Sequence, residues 1–199
     1  MSVIATITTS LDGYVTGPDD GPEQGLGRGG ERLHYWVMGG PWTYETEHDP
    51  TQQTGADKDY LDSLVATLGA GICGRGMYEA AGRWGGTNPF GGTLFVLTHR
   101  TEDAPDPETG FVFVDGFEEA LERAREAAGD GDVVVGGGAD TIRQALAAGA
   151  VDRLGLSTAP VVLGGGTRLF DGFTDDIDLT IRRVWTSEWA THVLYDVVR

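Results

Sequence analysis

The sequence predicts an α/β fold on a mixed, mostly parallel central sheet that closes with a C-terminal antiparallel hairpin. Short runs of β-branched and apolar residues, among them SVIATITTS, AGICG, TLFVLTH, FVFV and DVVV, alternate with stretches of helical period. The closing segments DLTIRRVWTSE and THVLYDVVR read instead as neighbouring strands around SEWA. Glycine clusters stand where strands hand over to helices, at GRG and GGG.

Taken in order, SVIATITTS alternates as a first strand and SLDGYVTG turns on Asp12-Gly13. From Pro18 to about Gly55 runs an insertion rich in glycine, proline and aromatics, with Tyr35, Trp36, Trp42 and Tyr44. Its length suggests a lid or a disordered loop, and the aromatic density argues for order. A short helix is expected around ERLHYWVM. DKDYLDSLVATL sets Tyr60, Leu61, Leu64 and Leu68 on one helical face, and AGICG follows as a buried strand. GRGMYEAAGRW opens a second short helix, and TLFVLTH and FVFV are strands. DGFEEALERAREAAGDG predicts a helix capped by Asp115 with Glu118 three residues on, a buried stripe of Ala120, Leu121 and Ala124, and a stop at Gly129. DVVVGGG with its helix and the strand DRLGLSTAPVVL precede the closing pair.

The 199 residues fit one domain, and 40% hydrophobic content is enough for a core. A net charge of −17 argues against nucleic acid or an anionic membrane as partner, since both select a basic face. MSVIATITTS has neither the basic nor the apolar region of a signal peptide, and no apolar run nears the ~18 residues of a membrane span. A cytoplasmic protein is the expectation. Cys73 stands alone in an apolar run, as a buried thiol does. His34, His48, His99 and His192 are scattered without metal-ligand spacing, and no G-x-S-x-G elbow marks a serine hydrolase.

The stretch VVVGGGADTIRQAL carries the main question. Three glycines between a strand and a helix serve close packing and positive φ, or else expose backbone N–H groups to a phosphate at the helix N-terminus. The Rossmann fingerprint does not fit, because GGGADT lacks the G-x-G-x-x-G spacing, and no phosphate-binding G-x-x-x-x-G-K-[ST] loop exists. Two further pieces also leave strand ends: GRGMYE (74–79) and LTHR (97–100). Each arginine alone reads as a surface residue paired to one of many carboxylates. Three such pieces at strand ends fit one extended anionic ligand better.

The ordered set SLDG, GRGMYE, LTHR, VVVGGGADTIRQAL and VDRLGLSTAPVVLGGGTRLF resembles the dihydrofolate reductase-like superfamily, and most of all the pyrimidine reductase domain of riboflavin biosynthesis. The resemblance covers nearly the whole chain. It implies a three-layer reductase domain over 1–199, NADPH as hydride donor, a small heterocyclic or pyrimidine-type substrate and a homodimer. It assigns Gly74, Arg75, Gly76 and Met77 to the turn supporting the cofactor phosphates. Thr98, His99 and Arg100 fall at the adenosine 2′-phosphate, and Gly137, Gly138, Ala139, Asp140 and Thr141 at the pyrophosphate. Asp12 matches the substrate-facing aspartate, where a carboxyl is suited to deliver a proton as hydride arrives.

The chain departs from that pattern beside Asp12. A basic residue usually follows SLDG and a lysine stands in the preceding strand, both suited to a sugar phosphate, whereas this chain has Tyr14 and the run ATITT. With Asp12, Tyr14 and Trp36 are the candidate substrate contacts, the insertion offering a stack for a flat ring. Tyr35 and Tyr44 are alternative proton sources. A pteridine substrate, and a non-catalytic NADP(H)-binding sensor that kept only the cofactor pocket, are the competing readings.

Overall fold

The computed structural model describes residues 1–45 and 52–198; His48 and part of the insertion lie outside them. Eight strands form one sheet in the order β4-β3-β2-β5-β1-β6-β8-β7. They are β1 (Val3–Ser10), β2 (Leu68–Gly74), β3 (Thr93–Leu97), β4 (Phe111–Val114), β5 (Asp132–Val135), β6 (Arg153–Ala159), β7 (Leu179–Thr186) and β8 (Thr191–Val197). The first six run parallel, and β8 pairs antiparallel with both β6 and β7. The expected closing hairpin turns between β7 and β8, where Ser187 N–H donates to Ala190 O at 2.9 Å.

The period-two alternation of β1 sorts the layers. Val3 and Ala5 join the large core formed with helices α4 (Phe117–Ala128) and α5 (Ala139–Ala147). Ile4 faces the opposite side and joins Trp36, Tyr60, Leu64 and Trp185 beneath α1 (Tyr35–Met38) and α2 (Gly55–Val65). A third cluster under α3 (Arg75–Ala80) gathers Cys73, Tyr78, Leu94, Val96, Phe111 and Phe113. Helices thus cover both faces, and the ends of β1, β2, β3 and β5 emerge at one edge of the sheet.

Three local expectations are adjusted: Leu68, expected on the helical face with Leu64, opens β2 instead, because the helix ends at Val65. The helix at ERLHYWVM forms as a 3-10 turn over Gly30–His34 running into α1. Its Leu33 is fully buried against Ala159 and Val161, so this part of the insertion belongs to the core. The Asp115 cap is not made. Gly116, at φ 107, is the residue before α4, and the Asp115 carboxylate meets His99 Nδ1 at 2.6 Å instead.

Candidate functional site

Four strand ends build the site. In sheet order the ends of β3, β2, β5 and β1 carry Thr98–Arg100, Gly74–Met77, Gly136–Thr141 and Ser10–Tyr14. Three inter-strand spacings of ~4.8 Å separate the first from the last, about 14 Å along the carboxyl edge where open α/β sheets take their ligands.

The middle two turns are tied together. Gly74 N–H donates to Gly137 O at 2.8 Å, and a Cβ at Gly74 would stand 2.7 Å from Thr141 Oγ1. The three glycines after β5 differ in purpose. Gly136 lies over Met77 Cε, 3.7 Å from a would-be Cβ, and Gly137 holds φ +106 with Ile7 Cδ1 at 3.3 Å. Gly138 meets nothing within 4 Å, and neither does Gly76. Packing and positive φ therefore account for the first two, while the third presents bare backbone to open space. No side chain caps α5 at Gly138, so its first N–H groups stay available to an anion with the helix dipole behind them. Asp140 does not obstruct that end: its carboxylate is taken by Gln144 Nε2 at 2.6 Å and Arg143 Nη2 at 3.5 Å, along the helix. Thr141 is buried beneath the turn and Ala139 beside it.

Arg75 lies over the Phe113 ring at 4.7 Å, with Nε on Glu79 at 2.7 Å and Nη2 near Asp103 at 3.7 Å. Its Nη1 is buried without a hydrogen-bond partner among the described residues. A buried guanidinium N–H without an acceptor is costly. Together with the open backbone at Gly76 and Gly138, it fits an anionic ligand such as a dinucleotide phosphate. At the end of β3, Thr98 Oγ1 accepts the Arg100 N–H at 3.1 Å. The Arg100 side chain is exposed and holds no carboxylate among the described residues. His99, 94% exposed, is engaged with Asp115 at the surface.

Asp12, expected as a proton donor, is held in a net of hydrogen-bond donors. Its carboxylate accepts hydrogen bonds from Ser10 Oγ at 2.6 Å, Gly164 N–H at 2.8 Å and Leu163 N–H at 3.0 Å. The Ser10 hydroxyl foremost, with the two backbone donors, lowers its pKa to about 2. These donors hold the carboxylate ionised at neutral pH in the free protein. Through these bonds Asp12 staples the β1 turn to the loop after β6. That pairing also explains a glycine in the loop after β6, because a Cβ on Gly166 would stand 2.0 Å from Thr16 O.

Trp36 is corrected. It is 6% exposed, its Nε1 donates to Thr8 Oγ1 at 3.0 Å, and its ring meets the His192 edge at 4.7 Å. The ring fills the core between insertion and sheet and has no face left for a substrate. Tyr35 packs edge-on against Trp189, and the Tyr44 hydroxyl accepts the Leu26 N–H at 2.7 Å. Cys73 is buried, its thiol pushed up to about 12 by desolvation. Tyr14 stays at the site, with the Arg168 guanidinium 4.6 Å from its ring centre. Arg168 was not among the expected site residues; only the pairing of two distant loops brings it to Tyr14. Among the described residues no cluster of metal-ligating side chains occurs, and no helix is long and apolar enough to cross a membrane.

The model of the RibD C-terminal domain matches residues 1–193. Among solved structures, a protein ascribed to riboflavin biosynthesis in Shewanella sp. PV-4 aligns at 19% identity over all of both chains, TM-score 0.71. Dihydrofolate reductase from Enterococcus faecalis, complexed with NADP(H), aligns at 17% identity over 100% of this chain and 97% of its own, TM-score 0.62. A bifunctional pyrimidine deaminase and uracil reductase from Thermotoga maritima aligns at 15% identity over 99% of this chain and 56% of its own, TM-score 0.63. The fold is dihydrofolate reductase-like. No curated protein sequence matches the chain.

Proposed function

The chain belongs to the RibD C-terminal domain family, and from that premise we propose that it is an NADPH-dependent reductase acting on a small, flat, pyrimidine-type heterocycle. The observation that carries this reading is the junction of the two glycine turns. Gly74 is bonded to Gly137, Gly76 and Gly138 face open space, and the buried, unpartnered Nη1 belongs to Arg75 of the first turn. Backbone N–H groups at α5 hold the pyrophosphate, and Arg100 with Thr98 selects the 2′-phosphate. The bound cofactor supplies the hydride, and the chain orients it across the carboxyl edge toward β1. Asp12 contributes by holding the β1 turn in place; the proton that follows hydride comes from solvent water at the open edge.

The ionised, fully engaged Asp12 also favours a second reading, a protein that binds NADP(H) on this fold without turnover. Two measurements separate the readings. Thermal stabilisation by NADPH tests the cofactor site, since a ligand at 100 Kd adds about 2.7 kcal/mol. Oxidation of NADPH in a screen of aminopyrimidines, pteridines and flavins then tests catalysis; binding with no oxidation by any of them leaves the non-catalytic reading.

The protein is further proposed to be a homodimer through its C-terminal strands. β7 is the outermost strand, and Leu179, Ile181 and Val184 stand exposed on it, Ile181 at 66%. A second copy is a common cover for such an edge.

A further inference from the structure

A line of hydrogen bonds runs beneath α2 to the middle of β1. His192 Nε2 lies 2.9 Å from Asp57 Oδ1, and His192 Nδ1 lies 2.7 Å from Ser157 Oγ. The Tyr60 hydroxyl is hydrogen-bonded to Ser157 and stands 2.9 Å from Thr6 Oγ1. Asp57, His192, Ser157 and Tyr60 are all buried, and Thr6, at the end of the line, is half-buried.

The network assigns the protons along this line. The Asp57 carboxylate is an acceptor, which puts the imidazole proton on Nε2. Burial holds the His192 pKa below the ordinary 6.5, so at pH 8 the ring carries one proton and Nδ1 is an acceptor. Ser157 therefore donates to Nδ1 and can only accept from Tyr60. Burial raises the Tyr60 phenol, which keeps its proton and gives it to Ser157. Thr6 in turn donates to Tyr60. Only this direction gives every contact in the line a proton, as buried polar groups demand. It spends the Thr6 proton inside the core and leaves Oγ1 with lone pairs alone.

Those lone pairs face the candidate site. Ala5 stands opposite Val135, so the next pair, on the other face of the sheet, is Thr6 beside Gly136. On the other flank Thr6 pairs with Gly155. Met77 Cε stands over Gly136, 3.7 Å from a would-be Cβ, and the Tyr60 hydroxyl stands over Gly155 at 2.6 Å. The Thr6 hydroxyl thus opens between α2 and α3, on a floor of glycine backbone that continues into the turn at Gly137 and Gly138.

We propose that Thr6 is a specificity-determining residue whose hydroxyl, oriented by Tyr60, Ser157, His192 and Asp57, offers the substrate ring an acceptor and no donor. It selects a ring carrying an amino or N–H group at that position over one carrying a carbonyl or ether oxygen. Calling the ring the substrate rests on the reductase reading; the acceptor site itself does not.

The test titrates NADP⁺-saturated protein, which has no hydride to give, calorimetrically at pH 8 with 2-aminopyrimidine and 2-methoxypyrimidine. The amino ring binds about tenfold or more tighter, because an ether oxygen would confront lone pairs. Thr6→Val weakens the amino ring to the level of the methoxy ring, and Thr6→Ser keeps the preference. Tyr60→Phe acts from inside the core. It frees the Thr6 proton, so the methoxy ring gains and the ratio falls to about twofold or less. A merely structural defect would weaken both rings alike. Equal binding by the parent protein, binding of neither ring, preference for the methoxy ring, or a Val or Phe variant that keeps the parent ratio each overturns the proposal. Should Tyr60→Phe not fold, Ser157→Ala frees the same proton by way of Tyr60 and answers in its place. Should NADP⁺ fail to bind the parent protein, the reductase reading falls, and the same titration without cofactor still decides the acceptor site.

Discussion

The N–H of Gly74 reaches the carbonyl of Gly137 at 2.8 Å, so the turn after β2 and the turn after β5 act as one piece. Thr141 lies beneath that junction, its Oγ1 2.7 Å from where a Gly74 side chain would begin. Gly74→Ala is expected to push the turns apart, lowering the melting temperature and NADPH affinity together. Gly76→Ala provides the contrast, because its Cβ meets nothing. Relief of glycine's entropy inside a helix adds ~0.5–1 kcal/mol of stability. The Gly76→Ala protein should melt at or above the parent temperature and yet bind NADPH more weakly. Parent affinity in that variant would remove Gly76 from the cofactor site.

Arg100 should set cofactor choice. A charge-assisted hydrogen bond is worth ~1.5–3 kcal/mol, so Arg100→Ala should erase roughly 10-fold or more of the preference for NADPH over NADH. The check is a pair of binding isotherms for each cofactor. Equal affinities in the parent protein would contradict the assignment.

Asp12→Asn tests the staple against the proton-donor role. The amide nitrogen would confront N–H groups that now find a carboxylate. The melting temperature is expected to fall, with NADPH affinity within about twofold of the parent. An unchanged melting temperature with abolished turnover would restore Asp12 as the acid.

Stability should decline in mild acid. His192 is fully buried, with Nε2 on Asp57 at 2.9 Å, Nδ1 on Ser157 at 2.7 Å and its ring stacked on Tyr60. Burial lowers its pKa below the ordinary 6.5, outweighing the Asp57 carboxylate that would raise it. His34 is lowered to about 4 by burial as well. The unfolded chain therefore binds protons at a pH where the folded one does not. Stability is full above about pH 6.5 and drains away as pH falls toward the folded values. Denaturant midpoints between pH 8 and pH 5 should show this, and His192→Gln should flatten the slope.

If the proposed dimer forms through the exposed outer strand, Ile181→Asp should convert it to a monomer in sedimentation with the melting profile otherwise preserved. A monomeric parent protein at micromolar concentration would dispose of the dimer.

Local pattern alone determined the alternation of strands and helices, the closing hairpin and the glycine-bearing strand ends. Alternation in SVIATITTS and the stripe of Ala120, Leu121 and Ala124 answer to short-range periodicity, which any single segment displays. The same short range misled at Asp115, where a neighbouring strand end placed His99 within reach, and at Trp36, whose aromatic character says nothing of which side of a sheet it covers. What Asp12 and Arg168 do was decided only in three dimensions. Beside local partners such as Ser10, each meets residues about 150 positions away along the chain, Asp12 the N–H groups of Leu163 and Gly164 and Arg168 the ring of Tyr14. A carboxylate is a proton donor or a staple according to how many N–H groups surround it. An arginine is paired or free according to which carboxylates the fold brings within a few ångströms, and hydrogen bonding and Coulomb attraction act over that distance, however far apart the partners stand in sequence.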